Sequence, residues 1–256
     1  MNIKNPAFDY DGKNHNYSAI RKADPRIAQY IGRSLADCKT ILNIGAGTGS
    51  YEPEEKYVVA VEPSSVMRSK RLAIGRNPAV NAKADKLPFD GDSFDAVMGV
   101  LTIHHWPSLK DGLLELKRVA RKKIAILTYD PDKLDVFWNA NYFPELIEIE
   151  RNRYPELVKI SEYLGEELKV TNVKIPLDCS DGFQEAFYGR PEAFLDEEVR
   201  KAQSAWGFLD KPLEKIYIQK LSEDLESGEW DRLYGHNRRL AEFEGAFRLV
   251  EIELSN

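Results

Sequence analysis

Short apolar runs that alternate with helical segments constrain this chain more than any other feature. The runs TILNIG, YVVAVE and FDAVMGVL are rich in Val and Ile and are bounded by turn residues, which is typical of buried parallel strands. Helical segments follow the second and third runs, and a further strand candidate, KIAILTY, comes next. This order predicts an α/β fold with a doubly wound sheet and helices on both faces.

A leading helix and a less regular second half flank this pattern. Asp24 and Pro25 have the residue types of an N-cap and a first helical position, which predicts a helix through about Leu35. Beyond Asp130, we expect a strand in LKVTNVKIPL, helices in DEEVRKAQSAWGFL and LEKIYIQKLSEDLES, and a final strand in AFRLVEIEL.

Composition and charge exclude several classes of protein. With 43% hydrophobic and 30% charged residues, the 256-residue chain has the balance of an ordinary folded protein. Its net charge of -6 disfavours nucleic acids and anionic membranes as partners. The polar N-terminus lacks an apolar signal core, and no run approaches the roughly 20 apolar residues of a membrane span. Cys38 and Cys179 form neither a disulfide framework nor a metal-ligand spacing. We therefore expect a cytoplasmic protein without a metal site.

A glycine-rich turn follows the first predicted strand. The segment Gly45-Ala46-Gly47-Thr48-Gly49 can turn tightly and let a ligand touch the backbone. The second strand ends at Glu62, whose carboxylate can accept hydrogen bonds from both hydroxyls of a ribose. A turn without a ligand would explain the glycines but not Glu62, so the pair predicts a nucleoside-containing ligand.

A dinucleotide such as NAD is the main rival ligand. Its fingerprint requires glycine where this chain has Ser50, and a helix N-terminus that faces the pyrophosphate. The segment from Ser50 to Lys56 contains Pro53 and three glutamates, which leaves little room for a helix and repels phosphate. We expect a loop or one helical turn there, and a cationic sulfonium nucleoside suits this site better.

Four motifs in order give the chain a family resemblance. The segments ILNIGAGTGS, VVAVEPS, ADKLPFDGDSFDAVMGVLTIHHW and LLELKRVARK resemble class I S-adenosylmethionine-dependent methyltransferases of the ubiquinone/menaquinone-biosynthesis type (methyltransferase type 11). The resemblance spans roughly residues 40–130. It implies a Rossmann-like sheet, mostly parallel with an antiparallel final strand, and a helical insertion or cap. We expect one methyltransferase domain over 1–256, comprising an N-terminal cap helix (1–36), a cofactor-binding half (37–130) and an acceptor-side half (131–256).

The resemblance also assigns roles to individual residues around S-adenosyl-L-methionine. The glycine turn lies against the aminoacyl part, Glu62 holds the ribose, and Asp85 meets the adenine. The resemblance thus implies this set of cofactor-binding residues in the motifs: Gly45, Ala46, Gly47, Gly49, Glu62, Pro63, Met67, Asp85, Lys86, Gly99, Val100 and Leu101. A looser similarity of NYSAIRKADPRIA to segments that close over the cofactor places Tyr17 near the methyl group and Arg21 near the carboxylate. Alternatively, Tyr17 packs beside a helix end and Arg21 is solvated.

Methyl transfer from a sulfonium is a direct displacement, so the protein chiefly aligns the reacting atoms and excludes water. A base helps when the acceptor is a phenol, an enol or a protonated nitrogen, and His105, by analogy with the family, is the candidate. The alternative is that His104 and His105 only shape the pocket. Eight aromatic residues could contribute to an acceptor pocket or form core instead: Trp106, Trp138, Tyr142, Phe143, Phe183, Phe187, Tyr188 and Trp206.

The expected function is methyl transfer to a small-molecule acceptor at oxygen, nitrogen or carbon. The sequence carries no acceptor signature, although we expect residues 130–213 to select the acceptor. Asn43, where the family usually has Asp, and the short connection from Gly49 to Tyr57 also permit a catalytically idle module that acts through protein partners. A nucleotide-dependent oxidoreductase is disfavoured by Ser50. The oligomeric state is not predicted.

Overall fold

A seven-stranded sheet forms the centre of the computed structural model, which describes residues 20–254. Its strands are β1 (Thr40–Ile44), β2 (Tyr57–Val61), β3 (Ala79–Val80), β4 (Phe94–Val100), β5 (Ala120–Tyr129), β6 (Lys169–Asn172) and β9 (Phe247–Glu253). They lie in the order β3-β2-β1-β4-β5-β9-β6. Strands β1 to β5 pair in parallel, and β9 runs antiparallel to both β5 and β6. The predicted Rossmann-like sheet with an antiparallel final strand is confirmed.

The register brings the carboxyl ends of the central strands to one edge. Ile44 of β1 pairs with Val61 of β2 and with Gly99 of β4, and Val100 pairs with Leu127 of β5. The residues that follow each strand therefore lie side by side, where ligands bind in open α/β sheets. This register places the glycine turn next to Glu62.

Helices cover both faces of the sheet. They are α1 (Pro25–Ser34), α2 (Ser65–Ala73), α3 (Leu109–Val119), α4 (Asn139–Tyr142), α5 (Pro144–Arg153), α6 (Leu157–Leu164), α7 (Glu197–Lys201), α8 (Lys211–Ser227) and α9 (Glu229–Tyr234). The side chains of Asp24, Ser64 and Ser108 cap α1, α2 and α3 by accepting from backbone N–H groups of the first turn. The α1 cap and its Pro25 match the sequence prediction.

Side chains along the central strands point alternately to the two faces of the sheet, so the core has two parts. Val97 and Ile124 face α3 and α6. Met98 and Ala125 face α1 and the helices between β5 and β9, here called the insertion. On the insertion side, Trp138 makes edge contacts with surrounding rings, including Phe194 and Trp230. The helical insertion thus has its own aromatic core, which packs against one face of the sheet.

Several segments differ from the sequence prediction. Residues 50–56 form turns without a helix, as expected for so short a connection. The predicted strand LKVTNVKIPL is split between β6 and β7 (Ile175–Pro176), which pairs with β8 (Glu242–Phe243) away from the main sheet. The predicted helix in DEEVRKAQSAWGFL consists of α7 and a separate 3-10 turn, Ser204–Gly207. Strand β3 was not predicted because a two-residue strand has no periodicity to detect.

Candidate active site

The glycine turn after β1 uses its glycines for different reasons. Gly45, Gly47 and Gly49 all have positive φ angles, of 62°, 52° and 92°. A Cβ at Gly45 would overlap the side chain of Thr102, whereas one at Gly47 would meet nothing within 4 Å. Gly45 therefore permits close packing of two loops, and Gly47 leaves the backbone open to a ligand.

Glu62 lies directly beside this turn. Its side chain is 6% exposed, and its two carboxylate oxygens accept hydrogen bonds from the backbone N–H groups of Gly47 and Ser64, each at 2.8 Å. These bonds orient the carboxylate toward the end of β2, and a carboxylate oxygen can accept more than one hydrogen bond. The arrangement can hold a ribose diol at the end of β2.

A buried ion pair supports the turn from below. Arg71 makes two 2.8 Å bonds to Glu52, and both side chains are nearly inaccessible. The amide nitrogen of Asn43 donates to the same carboxylate at 2.9 Å. An aspartate at position 43 would place a second carboxylate against Glu52, so the departure from the family pattern has a local electrostatic reason.

One cavity of about 510 Å³ opens between this turn and the insertion. Its volume lies within the range of roughly 300–1,000 Å³ that is usual for small-molecule sites. Most of the predicted site residues line it: Arg21, Gly45, Ala46, Gly47, Glu62, Pro63, Met67, Val100, Leu101 and His105. Tyr17 lies outside the described residues.

Four predicted residues are not on the cavity wall. Gly49 packs over the Arg71–Glu52 ion pair, and Gly99 lies beneath Thr102, Ile103 and Trp106. The chain turns back where Lys86 N–H donates to the carbonyl of Lys83 at 3.2 Å, so the wall is formed by Ala82, Lys83 and Ala84 instead of Asp85 and Lys86. The sequence motif therefore marked the right loop but not the residues that face the cavity.

Arg21 is held at the cavity edge rather than solvated. Its Nε donates to Asp181 at 2.6 Å, and its side chain is 15% exposed. The hydroxyl of Tyr51 donates to the other oxygen of Asp181 at 2.8 Å. These bonds join the segment before α1 and the β1–β2 connection to the loop after β7, and Arg21 is positioned to meet an anionic group in the cavity.

The histidine pair lies in a short 3-10 helix after β4 (Ile103–His105). Arg153 approaches His105 with Nη2 3.3 Å from Nδ1. Because a guanidinium can only donate, Nδ1 must accept, and the ring hydrogen of neutral His105 resides on Nε2. Burial and the nearby Arg153 and Arg21 lower the pKa of His105 to about 3. In this arrangement His105 presents an N–H donor at Nε2 at neutral pH, and the base role expected for it stays a prediction.

Apart from Phe183, the remaining residues on the insertion side of the cavity carried no sequence signal. The insertion side contributes these residues to the wall: Tyr129, Glu150, Tyr154, Phe183, Gln184, Gln203 and Ser204. They come from β5, α5 and loops that are far apart in the chain. Of the eight aromatic residues considered above, Trp106 and Phe183 line the cavity, and the others lie in the buried core.

Comparisons with known proteins agree with this geometry. The model of the methyltransferase domain family matches residues 42–127. A crystal structure of a "Putative methyltransferase from antibiotic biosynthesis pathway" from Anabaena variabilis is 32% identical, with a TM-score of 0.85 over 93% of this chain and 100% of that one. A Thermotoga maritima structure, "SAM-dependent methyltransferase, possible histamine N-methyltransferase", shares the fold at 18% identity and a TM-score of 0.55, covering 94% and 93% of the two chains. Among curated proteins, none matches.

The chain belongs to the methyltransferase domain family, and its fold is that of the class I, S-adenosylmethionine-dependent enzymes. Within residues 20–254, no helix is long and apolar enough to cross a membrane. The same part of the chain contains no group of His, Cys, Asp and Glu residues that could hold a metal ion.

Proposed function

We propose that this enzyme transfers the methyl group of S-adenosylmethionine to a small-molecule acceptor by direct displacement. The observation that carries the proposal is the continuity of one cavity from Glu62 to Tyr129. The ribose of the cofactor binds Glu62, its aminoacyl part lies along Gly45 to Gly47, and its carboxylate meets Arg21. The sulfonium methyl then faces the end of β4, where Val100 and Leu101 line the wall.

A small acceptor fits the dimensions of the site. The cavity of about 510 Å³ must hold both the cofactor and the acceptor, which leaves a modest share for the acceptor. The Anabaena variabilis relative, whose name refers to antibiotic biosynthesis, favours a metabolite over a macromolecule. The net charge of -6 likewise disfavours a nucleic-acid acceptor.

The protein contributes alignment and exclusion of water. S-adenosylmethionine supplies the electrophilic methyl group, and the backbone of the glycine turn and Glu62 hold the donor end. The insertion covers the acceptor end with buried side chains. On this proposal residues 1–256 form a single methyltransferase domain, and the cytoplasmic location expected from the sequence stays a prediction.

The test is calorimetric titration with S-adenosylmethionine, S-adenosylhomocysteine and NADH. We expect saturable binding of the first two and none of NADH. Glu62→Ala and Gly47→Arg should each weaken binding at least about 100-fold, because the first removes two charge-assisted bonds and the second fills the open backbone face. Gly75→Arg is the matched control, since Gly75 also has a positive φ but lies outside the cavity wall. Binding of NADH alone would refute the proposal.

An idle binding module remains the alternative to an enzyme. Asn43 gives this alternative little support, because its hydrogen bond to Glu52 accounts for the residue while the site stays intact. A module would bind S-adenosylmethionine and S-adenosylhomocysteine equally and form no methylated product with any acceptor. Mass spectrometry of an acceptor screen distinguishes the two.

A further inference from the structure

Four of the ten buried side-chain polar atoms that lack a partner among the described residues belong to residues that line the cavity. Among the described residues, His104 Nδ1, Tyr129 Oη, Gln184 Nε2 and Gln203 Nε2 are buried and form no hydrogen bond. All four side chains belong to residues that line the cavity and are 4–8% exposed. Buried polar groups in native proteins nearly always have partners, so four such atoms on one cavity wall point to a ligand that supplies them.

The place of these atoms in the sheet separates them from the cofactor end. Tyr129 ends β5, which is three strands away from β2 in the sheet order. At about 4.8 Å per strand, Tyr129 lies roughly 14 Å from Glu62. The group formed by His104, Tyr129, Glu150, Gln184 and Gln203, here called the acceptor chamber, is therefore beyond the ribose site.

Glu150 supplies the carboxylate of the acceptor chamber. It lies on α5 and is 6% exposed, and within residues 20–254 its carboxylate has one hydrogen-bond partner, Arg153, whose Nη1 is 3.4 Å from Oε2. Burial raises the pKa of Glu150, and Arg153 opposes this shift. A carboxylate with one long bond in a buried position is a stronger proton acceptor than one in water.

The hydrogen-bond donors of the chamber are fixed by their neighbours. The indole Nε1 of Trp206 donates to Gln203 Oε1 at 3.2 Å. Because indole nitrogen cannot accept, this bond leaves the Gln203 amide nitrogen as a donor toward the cavity. Rings complete the walls, since Tyr154 packs on His104 with centroids 4.1 Å apart and edge-on to Tyr129 at 5.1 Å.

We propose that the acceptor chamber binds a small aromatic compound with two neighbouring oxygen substituents, and that Glu150 takes the proton from the hydroxyl that is methylated. The inference rests on the proposed function. The second oxygen accepts from Gln203 and Tyr129, and the flat ring lies against Tyr154 and Phe183. His105, whose Nδ1 faces Arg153, cannot take this proton.

The step is balanced in atoms and charge. The hydroxyl oxygen forms a bond to the methyl carbon while the bond from carbon to the sulfonium sulfur breaks, and the sulfur keeps the electron pair. The hydroxyl proton moves to the Glu150 carboxylate. The positive sulfonium and the negative carboxylate thereby become a neutral thioether and a neutral carboxylic acid.

The experiment measures binding and turnover of catechol, with benzylamine as a nitrogen acceptor of similar size. We expect catechol, but not benzylamine, to bind protein saturated with S-adenosylhomocysteine and to be O-methylated when S-adenosylmethionine is supplied. Glu150→Gln should lower kcat for catechol about 100-fold with KM changed less than about 3-fold. Gln203→Leu should mainly raise KM, by about 10-fold. Glu150→Asp should recover part of kcat.

The control variant is Glu148→Gln, which changes an exposed glutamate on the same helix and should leave catechol turnover unaltered. Failure of S-adenosylhomocysteine to bind would refute the proposed function itself. If it binds, the acceptor inference is overturned by an absence of catechol binding, by methylation of benzylamine instead, or by a Glu150→Gln variant that keeps its kcat.

Discussion

The two ends of the cavity are built in opposite ways. At the cofactor end, backbone groups and one carboxylate satisfy one another, as in the bonds from Gly47 and Ser64 to Glu62. At the acceptor end, side chains from separate elements converge, and Tyr129, Gln184 and Gln203 have buried polar atoms that no described residue satisfies.

This difference indicates that the cofactor end mainly provides affinity and that the acceptor end mainly provides specificity. A site made of satisfied backbone groups is complete before the ligand arrives, so it can bind a common cofactor without rearrangement. A chamber with unmet hydrogen bonds is less stable when empty and favours a molecule that supplies the missing partners. We therefore expect substitutions in the acceptor chamber to lower activity more than stability, whereas substitutions at the cofactor end (the glycine turn, Glu62 and the ion pair below them) should lower both stability and cofactor binding.

The largest effect should come from the ion pair below the glycine turn. Arg71→Met leaves Glu52 buried without its cation, and we expect the free energy of unfolding to fall by about 3–5 kcal/mol. Arg76→Met is the control, since Arg76 meets the 86% exposed Glu54 only at 3.9 Å and should cost less than about 1 kcal/mol. Urea denaturation measures both. Equal losses would show that burial does not set the contribution of the Arg71–Glu52 ion pair to stability.

A smaller loss should follow from crowding of the turn itself. Gly45→Ala adds a Cβ against Thr102 at a φ of 62°, and we expect a loss of about 2–4 kcal/mol. Gly75→Ala, with a φ of 79° and open space, is expected to cost only about 1 kcal/mol. The difference between the two losses of stability measures the cost of the clash with Thr102. Combining Gly45→Ala with Thr102→Ala should recover part of the lost stability. If the double variant recovers no stability, the loss does not come from the contact with Thr102.

The acceptor end should respond to acid through His105. Burial together with Arg153 and Arg21 lowers its pKa to about 3, so the unfolded chain binds the extra proton as pH falls below about 6.5. The stabilisation is present at pH 7 and is lost on acidification. Between pH 7 and pH 5, the wild-type protein should lose roughly 1–2 kcal/mol more stability than the His105→Gln variant. If stability falls equally with pH in the two proteins, the lowered pKa of His105 is contradicted.

The smallest effect should be a gain in stability. Asn139 is 1% exposed, and neither atom of its amide finds a partner among the described residues. Asn139→Leu keeps the number and branching of the side-chain heavy atoms and removes these unmet groups, so we expect the free energy of unfolding to rise by about 1 kcal/mol. Thermal melting tests this. A loss above about 1 kcal/mol would show instead that the amide makes a needed polar contact.

The sequence supported accurate prediction wherever neighbouring residues carried the information. The parallel order of β1, β2 and β4, the cap at Asp24 and the nearness of Gly47 to Glu62 all follow from local periodicity, turn chemistry and the alignment of strand ends. Within a loop the sequence did not predict which residues face the cavity, as at Asp85, because the direction of each side chain in a turn depends on contacts made outside it.

By itself, the sequence determined the class I methyltransferase sheet and the nearness of the glycine turn to Glu62, because both depend on short segments whose pattern repeats at strand and helix spacing. Only the tertiary structure decided the acceptor chamber. Tyr129, Glu150, Gln184 and Gln203 lie far apart in the chain, and their chemistry arises from shared burial. The donor role of His105 has the same origin, since Arg153 reaches it across 48 residues of sequence.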